Sequence, residues 1–219
     1  PGRYSSLRAT LHSRPQAAPP VACQEEETMA VATPAPAVLG DYVARTKVAT
    51  VALVLGGAAF VGISAQVVIP LPFTPVPLTL QTFAVLLVGA ALGTWRGIAS
   101  MVVYAAAGTA GVPWFSAGSS GWGGASYGYI LGFIVAAGIV GRLAEQGATR
   151  TALRTAGLMV IGNIVIYAIG VTYLKFAIDV TWATALSLGM VPFLLGDALK
   201  IVLAAGLFPA TWRLVQRFS

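Results

Sequence analysis

Residues Ala152–Ala177 read ALRTAGLMVIGNIVIYAIGVTYLKFA, and the 20 positions between Arg154 and Lys175 contain no Asp, Glu, Lys or Arg. A helix of about 20 residues rises about 30 Å, the thickness of a bilayer's hydrocarbon core. A charge-free apolar run of that length is a membrane span, and its flanking cations belong at the two interfaces.

The same reading extends to the rest of the chain. Apolar segments run from Lys47 to Ile69, Leu78 to Gly93, Trp95 to Val112, Tyr127 to Gln146, Ala152 to Ala177 and Val191 to Trp212. The second and third are short and share the tight connection Gly93-Thr94-Trp95-Arg96. A count of five spans, with one of these two forming a re-entrant hairpin, is the competing reading. Composition agrees with a membrane protein: 57% of the 219 residues are hydrophobic and 9% are charged, against about 25% charged in soluble domains. An ordinary water-soluble enzyme is excluded, and so is disorder over most of the length. The net charge of +6 comes from basic residues scattered singly between apolar runs. They form no patch of the kind that holds nucleic acid, so the expected surroundings are membrane lipid.

Lys and Arg collect on the cytoplasmic side of membrane proteins, which orients the spans. Arg45 and Lys47 precede the first span, Arg96 lies between the second and third, Arg142, Arg150 and Arg154 surround the fourth-to-fifth connection, and Arg213 and Arg217 follow the last. Connections 70–77, 113–126 and 178–190 contain no Lys or Arg, and Lys175 is the one basic residue near that side. Six spans with both termini cytoplasmic satisfy the rule; five would break the alternation. The expected fold is therefore an all-α membrane protein, a six-transmembrane-helix bundle over residues 45–219.

Residues 1–44 are rich in Pro, Ala and Ser and lack a sustained apolar period, which reads as a disordered tail. Met29 is a candidate start, with residues 1–28 then non-native. No apolar segment of signal-peptide length precedes Arg45. His12 and Cys23 both lie in this tail, which leaves the apolar part without a Cys/His metal cluster, a disulfide or a Ser-His or Cys-His nucleophile pair. No metal site and no catalytic residue is expected.

Two ionisable residues remain that topology does not require. Asp197 and Lys200 sit inside Leu194-Leu195-Gly196-Asp197-Ala198-Leu199-Lys200-Ile201-Val202-Leu203. Each would cost about 2.5–3.5 kcal/mol at the centre of a span, so such groups face the bundle interior. Their spacing of three puts both on one helical face, roughly 9 and 13 Å below the outer end at Val191. Mutual neutralisation is one reading, yet replacing such a pair by apolar residues is often neutral or stabilising. The other reading is a polar ligand site in which Asp197 accepts from N–H groups and Lys200 donates to a carbonyl or carboxylate.

The loop Pro113-Trp114-Phe115-Ser116-Ala117-Gly118-Ser119-Ser120-Gly121-Trp122-Gly123-Gly124 has two readings of its own, interfacial aromatic belt or substrate cap. Gln66, Gln81 and Asn163 are candidate buried polar groups; helix–helix hydrogen bonding is the default for Gln66 and Asn163. Small residues four apart, Ala52/Gly56 and Ala58/Gly62, give the first span a face that another helix could approach, inside the bundle or in a separate membrane partner.

Four motifs in order carry a family resemblance: Pro75-Val76-Pro77-Leu78-Thr79-Leu80-Gln81-Thr82, Gly111-Val112-Pro113-Trp114-Phe115, Tyr127-Gly128-Tyr129-Ile130-Leu131-Gly132-Phe133 and Gly196-Asp197-Ala198-Leu199-Lys200. Together they resemble the BioY family, the biotin-specific substrate-binding (S) components of energy-coupling factor (ECF) transporters, over about residues 46–212. The resemblance implies a six-helix protein of a bacterial plasma membrane that captures biotin from outside as its transported ligand, with no cofactor. Its implied partners are an ECF membrane coupling subunit and two cytosolic ATPase subunits. Asp197 and Lys200 match the family's ring-contacting Asp and Lys. Trp114, Phe115, Tyr127 and Tyr129 become candidate apolar walls and lid, Ser116 and Gln81 weaker polar candidates, and Ala52, Gly56, Ala58 and Gly62 the coupling-subunit docking face. Where the family usually has Pro-Thr-Gly-Gly-Tyr, this chain has Ala125-Ser126-Tyr127-Gly128-Tyr129, so Tyr127 could meet ligand by its ring where relatives use backbone.

The absence of a G-x-x-x-x-G-K-[ST] phosphate loop fits a binding subunit that takes its energy from elsewhere. An S-component for another vitamin, a self-sufficient proton-coupled carrier in which Asp197 titrates, and an intramembrane enzyme are the alternatives, the last disfavoured because no His lies near Ser116, Ser119 or Ser120.

Overall fold

Helices form in each of the six apolar segments. In the computed structural model, which describes residues 37–218, the elements are α1 (Lys47–Ser64), β1 (Val68–Ile69), β2 (Leu78–Thr79), α2 (Gln81–Leu92), α3 (Thr94–Thr109), α4 (Tyr127–Glu145), α5 (Ala152–Ala177), α6 (Trp182–Gly189) and α7 (Leu194–Phe218). The expected start at Met29 and the tail up to residue 36 lie outside the described residues. Four stretches are long and apolar enough to cross a membrane: α1, α4, α5 and the run 182–217 that joins α6 to α7. The α2 helix has 12 residues and α3 has 16, each below the roughly 17 that a span needs.

Two sequence expectations are corrected. The connection 178–190 holds the extra helix α6, started by Thr181, whose hydroxyl accepts the Thr184 N–H at 3.2 Å. Ala, Leu and Ser dominate this stretch, and with a Ser/Thr cap they form a helix readily. The other correction concerns the tail, which does not extend to residue 44. A 3-10 turn spans Leu39–Tyr42, Val38 is buried, and Asp41 pairs with Arg96. Composition hid this because one buried Val and one ion pair leave no periodic trace.

The α4 helix forms the centre of the bundle. Two thirds (67%) of its apolar window is buried, against 28% for α1 and for the 182–217 run. It packs on α2, α3 and α5. Close approach depends on Gly141, where a Cβ would lie 2.6 Å from the Thr94 nitrogen at the α2–α3 corner. That corner turns at Gly93, whose φ of 84° favours glycine. The Thr94 N–H that opens α3 donates to Glu145 Oε1 at 2.8 Å, placing a carboxylate at a helix N-terminus.

This end of the bundle gathers the charged residues that the sequence assigned to one side. Asp41 meets Arg96, Glu145 caps α3, and Trp212 near the end of α7 donates to Thr149 at 3.0 Å beneath the Arg150 guanidinium, 4.1 Å from its ring. The opposite end carries the proline-rich connection 70–77 between β1 and β2, paired antiparallel with Val68 opposite Thr79.

Burial disfavours the charged form of Asp41, but hydrogen bonds from Arg96, Val38 and Ala37, together with the guanidinium charge, outweigh it and lower its pKa. A carboxyl with a lowered folded pKa contributes stability above its unfolded value, about 3.9, and loses it as pH falls through the folded value. Protection of the Ala37 and Val38 amides against hydrogen exchange is therefore expected to fall below about pH 4. In Asp41→Asn it should be weak at every pH.

Candidate functional site

At the end opposite the charged cluster, α7 presents Asp197 and Lys200 to the first turn of α2. Both are buried, at 4% and 8% exposure, in a span where an unpaired charge could not persist. Lys200 Nζ donates to Asp197 Oδ1 at 3.2 Å, to the Thr79 carbonyl at 3.0 Å and to Thr82 Oγ1 at 2.9 Å. These three acceptors match the three protons of an ammonium group. Asp197 accepts a second hydrogen bond, from the Tyr167 hydroxyl of α5, on its other oxygen Oδ2. A carboxylate has about four lone-pair positions, so Asp197 keeps acceptor capacity beyond these two partners.

The pair opens on a cavity of about 50 Å³. Val76, Pro77 and Leu78 from the proline-rich connection and β2 form one side. Tyr129, Ile130 and Phe133, on one face of α4, form another with Phe193. Thr79, Gln81, Thr82, Ser116, Ser126 and Tyr167 supply polar atoms. The site is thus an apolar slot with a buried, hydrogen-bonded carboxylate at one point, complementary to N–H donors and, at about 50 Å³, narrower than the roughly 300 Å³ of a ligand-filled pocket, so its walls must part to admit a ligand.

Tyr129 is positioned by two glycines. Its hydroxyl donates to the Gly189 carbonyl at 2.7 Å, and its ring lies over Gly170, where a Cβ would overlap the ring atoms. Gly170→Ala is expected to push Tyr129 into the cavity and cost about 1–3 kcal/mol of stability, the usual penalty of overpacking. Thermal unfolding in detergent measures the loss.

The sequence candidates divide. Asp197, Lys200, Tyr129, Ser116 and Gln81 line the cavity together. Trp114, Phe115 and Tyr127 do not: they belong to an aromatic cluster with Tyr104, whose ring centroid is 5.3 Å from both Trp114 and Phe115, while Phe115 and Tyr127 are 6.4 Å apart. The cluster stands behind Gln81, whose Nε2 donates to the Tyr104 hydroxyl at 2.7 Å. Tyr127 meets Thr109 at 3.0 Å and Trp122 at 4.9 Å between centroids. Gln66 is exposed and not a link between helices; the two protons of its Nε2 are shared among the Gly62, Trp114 and Phe115 carbonyls, fastening the 113–126 connection to α1.

The small-residue stripe on α1 splits as well. Ala58 and Gly62 are buried, with a Cβ at Gly62 falling 2.9 Å from the Trp114 ring, whereas Ala52 and Gly56 are exposed and a Cβ at Gly56 would meet nothing. Residues six apart on a helix are rotated by about 120°, so the two pairs belong to different faces. Of these four residues, Ala52 and Gly56 stay available to another molecule.

Sequence reasoning missed Thr79, Thr82, Ser126, Tyr167 and Phe193. Hydroxyl and aromatic residues are common at membrane interfaces and carry no charge, so although Thr79 and Thr82 fall within the 75–82 motif and Ser126 within 125–129, nothing set them apart from their neighbours there.

Comparison with known proteins follows the same residues. The BioY family model matches residues 35–217. The biotin transporter BioY2 of Lactococcus lactis is 32% identical over 162 residues, covering 73% of this chain and 87% of that protein. The biotin transporter BioY of Thermotoga maritima is 37% identical over 141 residues, covering 63% and 81%. Among solved structures, the S-component for biotin from an ECF-type ABC transporter superposes with a TM-score of 0.67 at 25% identity, covering 76% of this chain and 92% of that one. The match extends from the turn before α1 to the end of α7 and takes in every element that builds the cavity: this multi-pass membrane protein belongs to the BioY family.

Proposed function

We propose that this chain takes up biotin, binding it in the Asp197–Lys200 cavity as the substrate-capture subunit of an ECF transporter and not as an enzyme. The observation that carries the reading is the state of Asp197: buried, held by Tyr167 and Lys200, and facing an apolar slot with acceptor capacity left over. A ureido ring offers two N–H donors and one C=O acceptor. The donors would meet the Asp197 carboxylate in charge-assisted hydrogen bonds. All three Lys200 protons have protein acceptors, so the ring carbonyl needs another donor. Thr82 fits that role, because its oxygen accepts from Lys200 and its own proton is free to point into the cavity. The apolar thioether ring fused to the ureido ring would lie against Phe133, Ile130 and Phe193.

In this reading α2 and α3 complete six crossings in a bacterial plasma membrane. The charged end with both termini faces the cytoplasm, and the cavity faces outward. The partners are a membrane coupling subunit and two cytosolic ATPases. The relatives' biotin names and the likeness to the biotin S-component support this assignment. Isothermal calorimetry of the purified protein in detergent, without ATP, tests the binding step. Saturable biotin binding at one per chain is expected; no heat with biotin, and heat with another vitamin, would overturn the ligand assignment.

A further inference from the structure

A second, larger groove of about 460 Å³ runs along the outside of α5, closed on its other sides by α6 and α7. Val160, Ile164, Ala168 and Thr172 line it at every fourth residue of α5, and Trp182 and Leu186 face them from α6. Most of these side chains are exposed: Val160 is 43%, Ile164 61% and Trp182 52% accessible. The groove is separate from the polar cavity but shares Tyr167 and Asp197 with it, so those two residues form the wall between them.

Its dimensions match one half of a bilayer. From Val160 to Thr172 the helix rises about 18 Å, and one leaflet of a 30 Å hydrocarbon core is about 15 Å thick. Apart from Asp197 in the shared wall, which is held by Lys200 and Tyr167, charge flanks the groove at one end. Lys175 follows Thr172 by three residues on the same helical face, about 4.5 Å further along the axis. Its Nζ lies 4.2 Å from the Phe176 ring centroid and 5.5 Å from that of Trp182, which also lines the groove. Lys175 makes no ion pair among the described residues. Two rings restrict the ammonium at the lip of the groove, which lowers the entropy lost when an anion binds there.

We propose that the α5–α6–α7 groove is a phospholipid site, in which one acyl chain lies along α5 with its phosphate on Lys175. An apolar slot one leaflet deep with a single fixed cation at the interface end complements a lipid tail with an anionic head. Ordinary boundary lipid needs neither the three-sided enclosure nor the cation. The bound tail would also keep water from the back of Tyr167 and Asp197.

The test uses the full-length protein, stripped of lipid in detergent and titrated with phosphatidylglycerol, with diacylglycerol as the head-group-free control. Native mass spectrometry should show one retained phosphatidylglycerol per chain. Lys175→Gln should weaken retention about tenfold, equal to about 1.4 kcal/mol, and bring it to the level of diacylglycerol. Ala168→Phe, which fills the groove, should abolish retention of both lipids. Should that variant fail to fold, a phosphatidylglycerol with a brominated tail should quench wild-type tryptophan fluorescence to saturation at one lipid per chain, and Trp182→Phe should remove most of that quenching. Equal retention by wild type and Lys175→Gln, or quenching unchanged in Trp182→Phe, would overturn the proposal. So would displacement of the lipid by saturating biotin, which would make the groove part of the biotin site.

Discussion

Asp197→Asn is expected to weaken biotin binding about a hundredfold, from the loss of about 3 kcal/mol. The wild-type carboxylate is buried and already oriented by Tyr167 and Lys200, so its hydrogen bonds to ureido N–H groups form with little reorganisation. An amide of the same shape keeps one acceptor oxygen; its NH₂ group either faces the Lys200 ammonium, donor against donor, or takes the Tyr167 side, where it no longer accepts from the ligand. Membrane insertion and the helical circular dichroism signal should be retained because the substitution preserves volume, although leaving Lys200 without its anion should lower the unfolding temperature. Calorimetry gives the affinity directly. An unchanged Kd would mean that the Asp197–Lys200 pair serves the fold alone.

The second large effect separates those two roles within one experiment. Lys200→Met removes a buried partner and leaves Asp197 without its cation; breaking a buried pair in this way costs about 3–5 kcal/mol of stability. Adding Asp197→Leu in the same chain removes the remaining charge, and stability should return to the wild-type level or exceed it by about 1–4 kcal/mol. Biotin binding should be absent from the double variant however well it folds. A thermal-unfolding double-mutant cycle with paired calorimetry reads both quantities. A double variant that is stable and still binds biotin at wild-type affinity would assign the site to other residues.

Legibility in the sequence followed cost. Asp197 and Lys200 stood out because a charge inside an apolar run is expensive wherever the other helices lie. The structure places both on the cavity, 3.2 Å apart. The helical segments were equally plain, since an apolar run of about 20 residues has few alternatives in lipid. Thr82 and Tyr167 complete the same hydrogen-bond cluster yet were invisible, because a hydroxyl in a membrane helix can bond its own backbone at little cost. Trp114, Phe115 and Tyr127 lie away from the cavity, which their sequence could not indicate for a related reason. An aromatic ring beside a glycine-rich loop serves as well for a wall as for a support, and here Trp114 and Phe115 pack on Tyr104, which holds Gln81, while Tyr127 packs on Phe115.

The α1 stripe shows where local pattern ends. Ala52/Gly56 and Ala58/Gly62 share the same spacing, but one pair is open and the other is covered by Trp114 from a connection some 50 residues away. Which face is covered depends on where the 113–126 connection folds back, and Gln66 holds it there through carbonyls that any residue would supply.

By itself the sequence determined the membrane class, the six apolar helical segments though not α6, and the buried charge pair, because hydropathy and the cost of a charge in lipid are properties of each residue and its immediate neighbours. Only the tertiary structure decided which side chains share the cavity with that pair, that residues 37–44 close onto the α2–α3 corner, and that a second groove lies behind Tyr167. Those features arise where helices distant in sequence approach one another, and the approach is set by small residues such as Gly141 and Gly170 whose role is to be absent from the contact.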